Sequence, residues 1–268
     1  MPIKQLTPES LNRLISIISS GSGATLEALL NKGNYWIRFY QLTYSQDRMN
    51  AIAASSTAMN AIINSSTALN IVVNSSIAMN AIAASSAAMN AIAASSTAMN
   101  IIATSSIAMN AIAASSAAMN AIVKSQTARQ SIASSSYLSS VSNTMYNTCD
   151  HNSDKFQKYT ASVSINTSIP ILYWTSTTGN TTIRPNPGDN IVFVYQVVDN
   201  TDQLNTVYLY HLDSYTNVAY SVNLPSTQSG ETVNISPYKV LFGGIKAEDY
   251  TKRGTSNKVV YFYGFKAL

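Results

Sequence analysis

Between Arg48 and Lys124 the chain carries no charged residue, and between Gly33 and Pro170 it carries neither glycine nor proline. The first absence removes salt bridges and charge-based recognition from the middle of the molecule. The second removes the residues that most readily turn a chain. Charge is scarce throughout: Asp, Glu, Lys and Arg make up 10% of the 268 residues, against roughly 25% in ordinary soluble domains. The net charge of +4 is spread over scattered positions such as Arg38, Arg48, Lys124 and Arg129. A nucleic-acid partner needs a basic patch, and none is visible. Cys149 is the only cysteine, so a disulfide framework within one chain and a cysteine metal site are both excluded. The opening MPIKQLTPES lacks the basic and apolar regions of a signal peptide. No run of about 18 apolar residues exists, so membrane insertion is not expected.

What fills the middle is one ten-residue phrase, AMNAIAASST, repeated from Met49 to about Gln130. Its anchor recurs at Met49, Met59, Leu69, Met79, Met89, Met99, Met109 and Met119. A second apolar position runs Ile52, Ile62, Val72, Ile82, Ile92, Ile102, Ile112 and Ile122. Ala and Met favour helix, and a 3-4-3 apolar spacing gives about 3.33 residues per stripe turn, below the 3.6 of a straight helix. This predicts a long, tightly wound helix at 49–150 that shares its Met and Ile residues with identical chains, most simply three in parallel. The rival is a β-solenoid with one turn per decad. The Ser pairs read as the wetted face of a narrow rod. The Asn after each Met reads either as part of that face or as an inward polar layer fixing register.

The flanks differ in kind. In the head, residues 1–48, Thr7, Pro8 and Glu9 signal a helix start, and Leu11, Leu14, Ile15 and Ile18 follow at helical spacing before Gly21. Thr25 to Lys32 reads as a second helix, and the aromatic stretch Asn34 to Tyr44 as strand or helix. Leu11, Ile15, Leu26, Leu29 and Trp36 are more apolar surface than about 48 residues need, which suggests a docking module. Past residue 155 the composition turns to Thr, Val, Tyr, Ile and Asn. Candidate strands are Tyr159–Asn166, Ile169–Thr175, Asn190–Val197, Thr206–Leu212, Val218–Asn223, Thr232–Ile235, Lys239–Phe242 and Lys258–Phe265, separated by turn signals such as NPGDN and KRGTSN. They predict an all-β sandwich at 155–268. The fold class is therefore α+β: a small helical head, a long coiled-coil-like helical shaft and a β-sandwich tip.

Chemistry is sparse. His151 and His211 are the only histidines and have no metal-ligand spacing. His211 and Asp213 lack a nucleophile elbow to complete a triad. Asp199, Asp202, Asp213, Glu231, Glu248 and Asp249 are turn-forming acids before they are catalytic ones, and the turn from Asp199 to Asp202 fixes too few oxygens for Ca²⁺. No cofactor, no metal and no enzymatic activity are expected. Tyr and Trp offer flat apolar faces with a polar edge, so Trp174, Tyr215 and Asn217 are the candidate receptor contacts of the tip.

The decad repeat at 49–130, with its helical head and β tip, resembles the Ala/Ser/Asn-rich repeats and overall plan of tailed-bacteriophage tail fibres and related virion appendages. That resemblance implies a homotrimer made in the host cytoplasm and carried on the virion. It also implies a head docked on a tail or baseplate protein and a tip that meets a host surface glycan or protein. It departs from tailspike depolymerases, which need a long β-helix with catalytic carboxylates. A whisker or collar fibre whose tip binds another virion protein is the second expectation. An ice-binding rod is the third, although Thr57, Thr67 and Thr97 alternate with Ile77, Ala87 and Ile107.

Overall fold

The computed structural model describes residues 8–166, 182–183, 190–199, 206–211, 218–223, 232–242, 245–248 and 257–268. The fold is α+β, with thirteen short helices among these residues, followed by antiparallel strands. The chain divides into two compact units, 1–122 with 135–137, and 123–134 with 138–268.

Unit 1 corrects the expected shaft. The repeat is helical, but it breaks every ten residues into α4 (Gln46–Ala54), α5 (Ser56–Ile63), α6 (Ser66–Val72), α7 (Ser76–Ala84), α8 (Ser86–Ala93), α9 (Ser96–Ala103), α10 (Ser106–Ala113) and α11 (Ser116–Lys124). The chain bends by about 100° between α6 and α7. Each helix then packs beside the one three further on: α4 with α7 and α7 with α10, α5 with α8, α6 with α9. One turn of this stack takes three decads. Met49, Met59, Met79, Met89, Met99, Met109 and Met119 are fully buried, as are Ile62, Ile82, Ile92, Ile102, Ile112 and Ile122; Ile52 alone is half-buried. A single chain thus covers the residues that were expected to need partner chains. Neither a coiled coil nor a ten-residue β-coil is formed.

The break has a residue-level cause. The first Ser of each pair leaves the helix in extended backbone, with φ of −111° and ψ of 115° at Ser75, and accepts from the amide three residues on, Ala78 N–H at 3.3 Å. Ser55, Ser65, Ser85, Ser95, Ser105 and Ser115 cap in the same way. The same hydroxyl donates to a carbonyl 32 residues earlier: Ser75 to Thr43 O at 2.9 Å, Ser85 to Ala53 O at 2.7 Å, Ser105 to Val73 O at 2.7 Å, Ser135 to Ala103 O at 2.6 Å. Ser is a poor interior helix residue but a favoured N-cap, worth about 1 kcal/mol over Ala. Eight-residue helices are marginal alone, so burial of the Met and Ile layers sustains them. The leading Ser of each pair is therefore a corner bracket and not a wetted face. The Asn residues from Asn50 to Asn110 at the decad spacing are exposed, which removes the inward polar layer.

The head belongs to the same unit. Helices α1 (Pro8–Ser19), α2 (Gly23–Leu30) and α3 (Tyr35–Leu42) supply its first turn, with α2 against α5 and α3 against α6. Position for position, Phe39 and Leu42 stand thirty residues before Leu69 and Val72, and all four are buried. Gly21 has φ of +76°, and a Cβ there would lie 2.8 Å from Thr57 Cγ2. At Gly23 a Cβ would lie 2.4 Å from Asn64 Cβ. Gly21 lets the turn before α2 approach the start of α5 closely, and Gly23 lets α2 approach its end. No single described helix is long and apolar enough to cross a membrane.

Unit 2 contains α12 (Gln126–Ala133), α13 (Leu138–Asp150) and strands β1 (Phe156–Asn166), β2 (Thr182–Ile183), β3 (Asn190–Asp199), β4 (Thr206–His211), β5 (Val218–Asn223), β6 (Thr232–Phe242), β7 (Ile245–Glu248) and β8 (Asn257–Ala267). They form two four-stranded sheets, ordered β1-β8-β3-β6 and β2-β7-β4-β5. The terminal apolar run is central, pairing with β1 from Phe156↔Ala267 to Asn166↔Asn257. The two expected strands around Pro237 are one edge strand, β6, whose register against β3 shifts between Val194 and Gln196. An edge or a bulge is where a strand tolerates proline. β2 and β7 were not anticipated, and the expected strand Ile169–Thr175 lies outside the described residues.

Candidate functional site

On the repeated turns the outward positions carry mostly Ser, Asn, Ala or Thr, and among the described residues the exposed aromatics are gathered on and just after α3. Trp36, Tyr40 and Tyr44 stand thirty residues before Ser66, Asn70 and Asn74, all of them exposed positions. The three aromatics are themselves open to solvent at 49%, 40% and 52%. Spacing of four residues aligns them along one face of the helix and its C-terminal extension. The Tyr40 and Tyr44 hydroxyls lie 2.5 Å apart and their rings meet edge-on at 4.9 Å. That mutual bond, followed by partial burial, pushes the Tyr44 hydroxyl above its ordinary pKa. Arg38 lies over the Tyr35 ring at 5.3 Å. Folding usually covers Trp and Tyr, so three left open in line form a surface suited to another molecule.

Beside it, Glu27 on α2 serves the start of α6. It accepts from Ser65 Oγ at 2.5 Å, Thr67 Oγ1 at 2.6 Å and Thr67 N–H at 3.0 Å. The Ser65 bond first, then those from Thr67, hold its carboxyl down at about 2. A carboxylate at a helix N-terminus satisfies amides that the helix itself leaves open.

The five residues expected to dock the head separate here. Leu26 and Leu29 are buried within unit 1, Ile15 is 38% exposed, Trp36 is exposed, and the Leu11 side chain lies outside the description. The sequence reading missed Tyr40, Tyr44 and Glu27. Their signal was present: residues 66–95 and 96–125 differ at only six of thirty positions, a stronger repeat than the decad. Laid out in thirties, Trp36, Tyr40 and Tyr44 fall on the exposed Ser66, Asn70 and Asn74, whereas Phe39 falls on the buried Leu69. The same layout puts Thr67 in line with Thr97 and Ile77 in line with Ile107. The Thr67 hydroxyl is bonded to Glu27 and does not form part of an open Thr face.

In unit 2 the tip candidates Trp174, Tyr215 and Asn217 lie outside the described residues. Among the described residues there, the aromatics form a cluster between α13 and the sheet. Tyr146 packs on Tyr238 at 4.2 Å, Phe265 at 5.5 Å and Phe193 at 5.7 Å. Burial raises the Tyr146 hydroxyl, with the charge of Asp150 adding to it. Cys149 is buried, and burial pushes its thiol up. Arg129, at the decad's Met position, is buried and donates to Val123 O. Among the described residues no group of three or more His, Cys, Asp or Glu is placed to hold a metal. No family model matches the chain, and no curated protein matches it.

Proposed function

We propose that the chain is a structural virion protein of a tailed bacteriophage that works by binding. In this reading the α3 stripe of Trp36, Tyr40 and Tyr44 docks on a tail or baseplate protein. A β-sandwich formed by the sheets of unit 2 meets a host surface glycan or protein through Trp174, Tyr215 and Asn217. The observation that carries the docking half is the stripe itself, which gathers the large exposed aromatics found among the described residues. Homotrimerisation rests on the resemblance to phage fibres. The Met and Ile layers are used within one chain, so identical copies would meet through outward faces.

One observation favours the collar or whisker version over a long tail fibre. Residues 46–113 as one helix would span about 100 Å. Folded three helices to a turn, with neighbours about 8–10 Å apart, they reach only about 20–25 Å. Such a stack suits a connector better than a reach.

The experiment has two arms. Full-length chain and a Trp36→Ala/Tyr40→Ala/Tyr44→Ala variant are used to capture purified virion proteins. Trp174→Ala, Tyr215→Ala and Asn217→Ala variants are tested for adsorption to host cells and on glycan arrays. The reading expects the stripe variant to lose virion capture at unchanged melting temperature, and the tip variants to lose adsorption or glycan binding. Capture by the tip in place of the stripe, with no host adsorption, selects the version in which the tip binds another virion protein. Normal capture and normal adsorption by every variant end the proposal.

A further inference from the structure

A stack of near-identical decads has a register problem. The buried positions of each decad are Met and Ile or close relatives, and the Ser-to-carbonyl bracket recurs at Ser75, Ser85, Ser105, Ser115 and Ser135. Interior burial and corner bonds are therefore nearly the same if the first turn, α1–α3, slides along the array by one decad. Side-chain patterns that repeat without distinction specify register weakly.

We propose that α2 is the register key of unit 1: Glu27 selects the helix start Ser65–Ser66–Thr67 over the otherwise equivalent starts of the array. The selection is legible in the third residue of each start. It is Thr at 57, 67 and 97, Ile at 77 and 107, and Ala at 87 and 117. At α6 the Thr67 side chain donates to Glu27 at 2.6 Å and its amide at 3.0 Å. A one-decad slide would set Ile77 methyls against the carboxylate, removing one donor and taking water from a charge. A two-decad slide would present Ala87, with no donor. Toward the later decads only a slide of three restores a Thr, at 97, and that would exclude a whole turn of buried Met and Ile from the stack; a slide of one decad back would present Thr57, but it leaves two decads for a turn that the stack closes with three. Close approach makes the selection sharp. Gly23 brings α2 within a distance of Asn64 that no Cβ permits, and Gly21 does the same at Thr57. Glu27 is the only acidic side chain bonded to the array among the described hydrogen bonds. A charge lowered to a pKa of about 2 by these bonds is one held by its partners.

The test compares Thr67→Ile with Thr97→Ile, using hydrogen exchange read by mass spectrometry on the full chain. Both substitutions install a residue that the array already holds at 77 and 107, so folding of the turns is not at issue. The expected result is that Thr67→Ile lowers protection of the α1–α3 amides at least tenfold and splits the isotope envelopes of peptides from residues 21–45 into two populations. Thr97→Ile leaves α1–α3 unchanged, and α7–α10 keep their protection in both. Glu27→Ala reproduces Thr67→Ile from the other side of the contact. Gly23→Ala, which forces α2 away from Asn64, does so independently. The inference is overturned if the two threonine variants behave alike, if α1–α3 keep one fully protected population in Thr67→Ile, or if that variant unfolds α7–α10 as well.

Discussion

The first turn of unit 1 and the turns that follow share one geometry and differ in chemistry. Both stack helices at a thirty-residue offset and bury large apolar residues toward the inside. From Met49 to Val123 the later turns do so mainly with Ala, Met, Ile, Ser and Asn and with no charge. The first turn adds Glu27, two closely packed glycines and three exposed aromatics. The repeat thus supplies cohesion, whereas specificity resides where it is broken. In such an array stability is close to a sum of neighbour contacts, and any residue that does more must differ from its equivalents.

The largest effect is expected inside the repeated turns. Ile92→Asp places one carboxylate in a fully buried layer with no cation in the array to meet it. An unpaired buried charge costs about 3–5 kcal/mol, so the variant should unfold unit 1 cooperatively in a thermal melt. Asn90→Asp, two residues away on the exposed side, should change stability by less than about 0.5 kcal/mol. Equal losses from the two would mean that the interior and exterior of the array are misassigned.

How much of this was legible in the sequence depends on the range of the physics involved. The strands of unit 2 were legible from local alternation and turn residues, Val218–Asn223 to the residue. β7 was too short to announce itself, and Pro237 made one bulged edge strand look like two. Helical character of the repeat was equally local. Its partner was not. Read as an average propensity, Ser merely tolerates a helix; read by position, Ser75 ends one helix and starts the next. The carbonyl it donates to lies 32 residues away, and that distance hides inside a period of ten. Apolar residues in the head were read as surplus because the layers covering Leu26 and Leu29 belong to the repeat. The tip residues Trp174, Tyr215 and Asn217 rest on the sequence reading alone.

A middle-sized effect separates the two serines of one corner. Ser105 caps α10 and donates to Val73 O, while Ser106 is exposed. Ser105→Ala loses a cap, about 1 kcal/mol, and leaves the Val73 carbonyl short of a buried donor, about 1 kcal/mol more. Denaturant melts should show about 2 kcal/mol lost for Ser105→Ala and close to none for Ser106→Ala. If the pair behaved alike, the hydroxyl bracket would not be what turns the chain at each corner.

The smallest effect returns to the first turn and depends on pH. Glu27 sits at about 2 in the folded chain against 4.5 as its ordinary value, chiefly through hydrogen bonds from Ser65 and Thr67. Because the folded value is the lower one, the ionised form favours folding. Its contribution is complete above pH of about 4.5 and is lost as pH falls toward 2. Half-exposure screens it, so about 1 kcal/mol is expected instead of the full linkage value. Between pH 6 and pH 3 the wild type should lose more than half of that increment, and Glu27→Gln, which cannot ionise, should not. The repeated turns hold no titratable group between Arg48 and Lys124, so protection of the α7–α10 amides should stay flat over the same range. A pH-dependent loss there equal to that in α1–α3 would show that the two regions melt as one and would place the acid sensitivity elsewhere than Glu27.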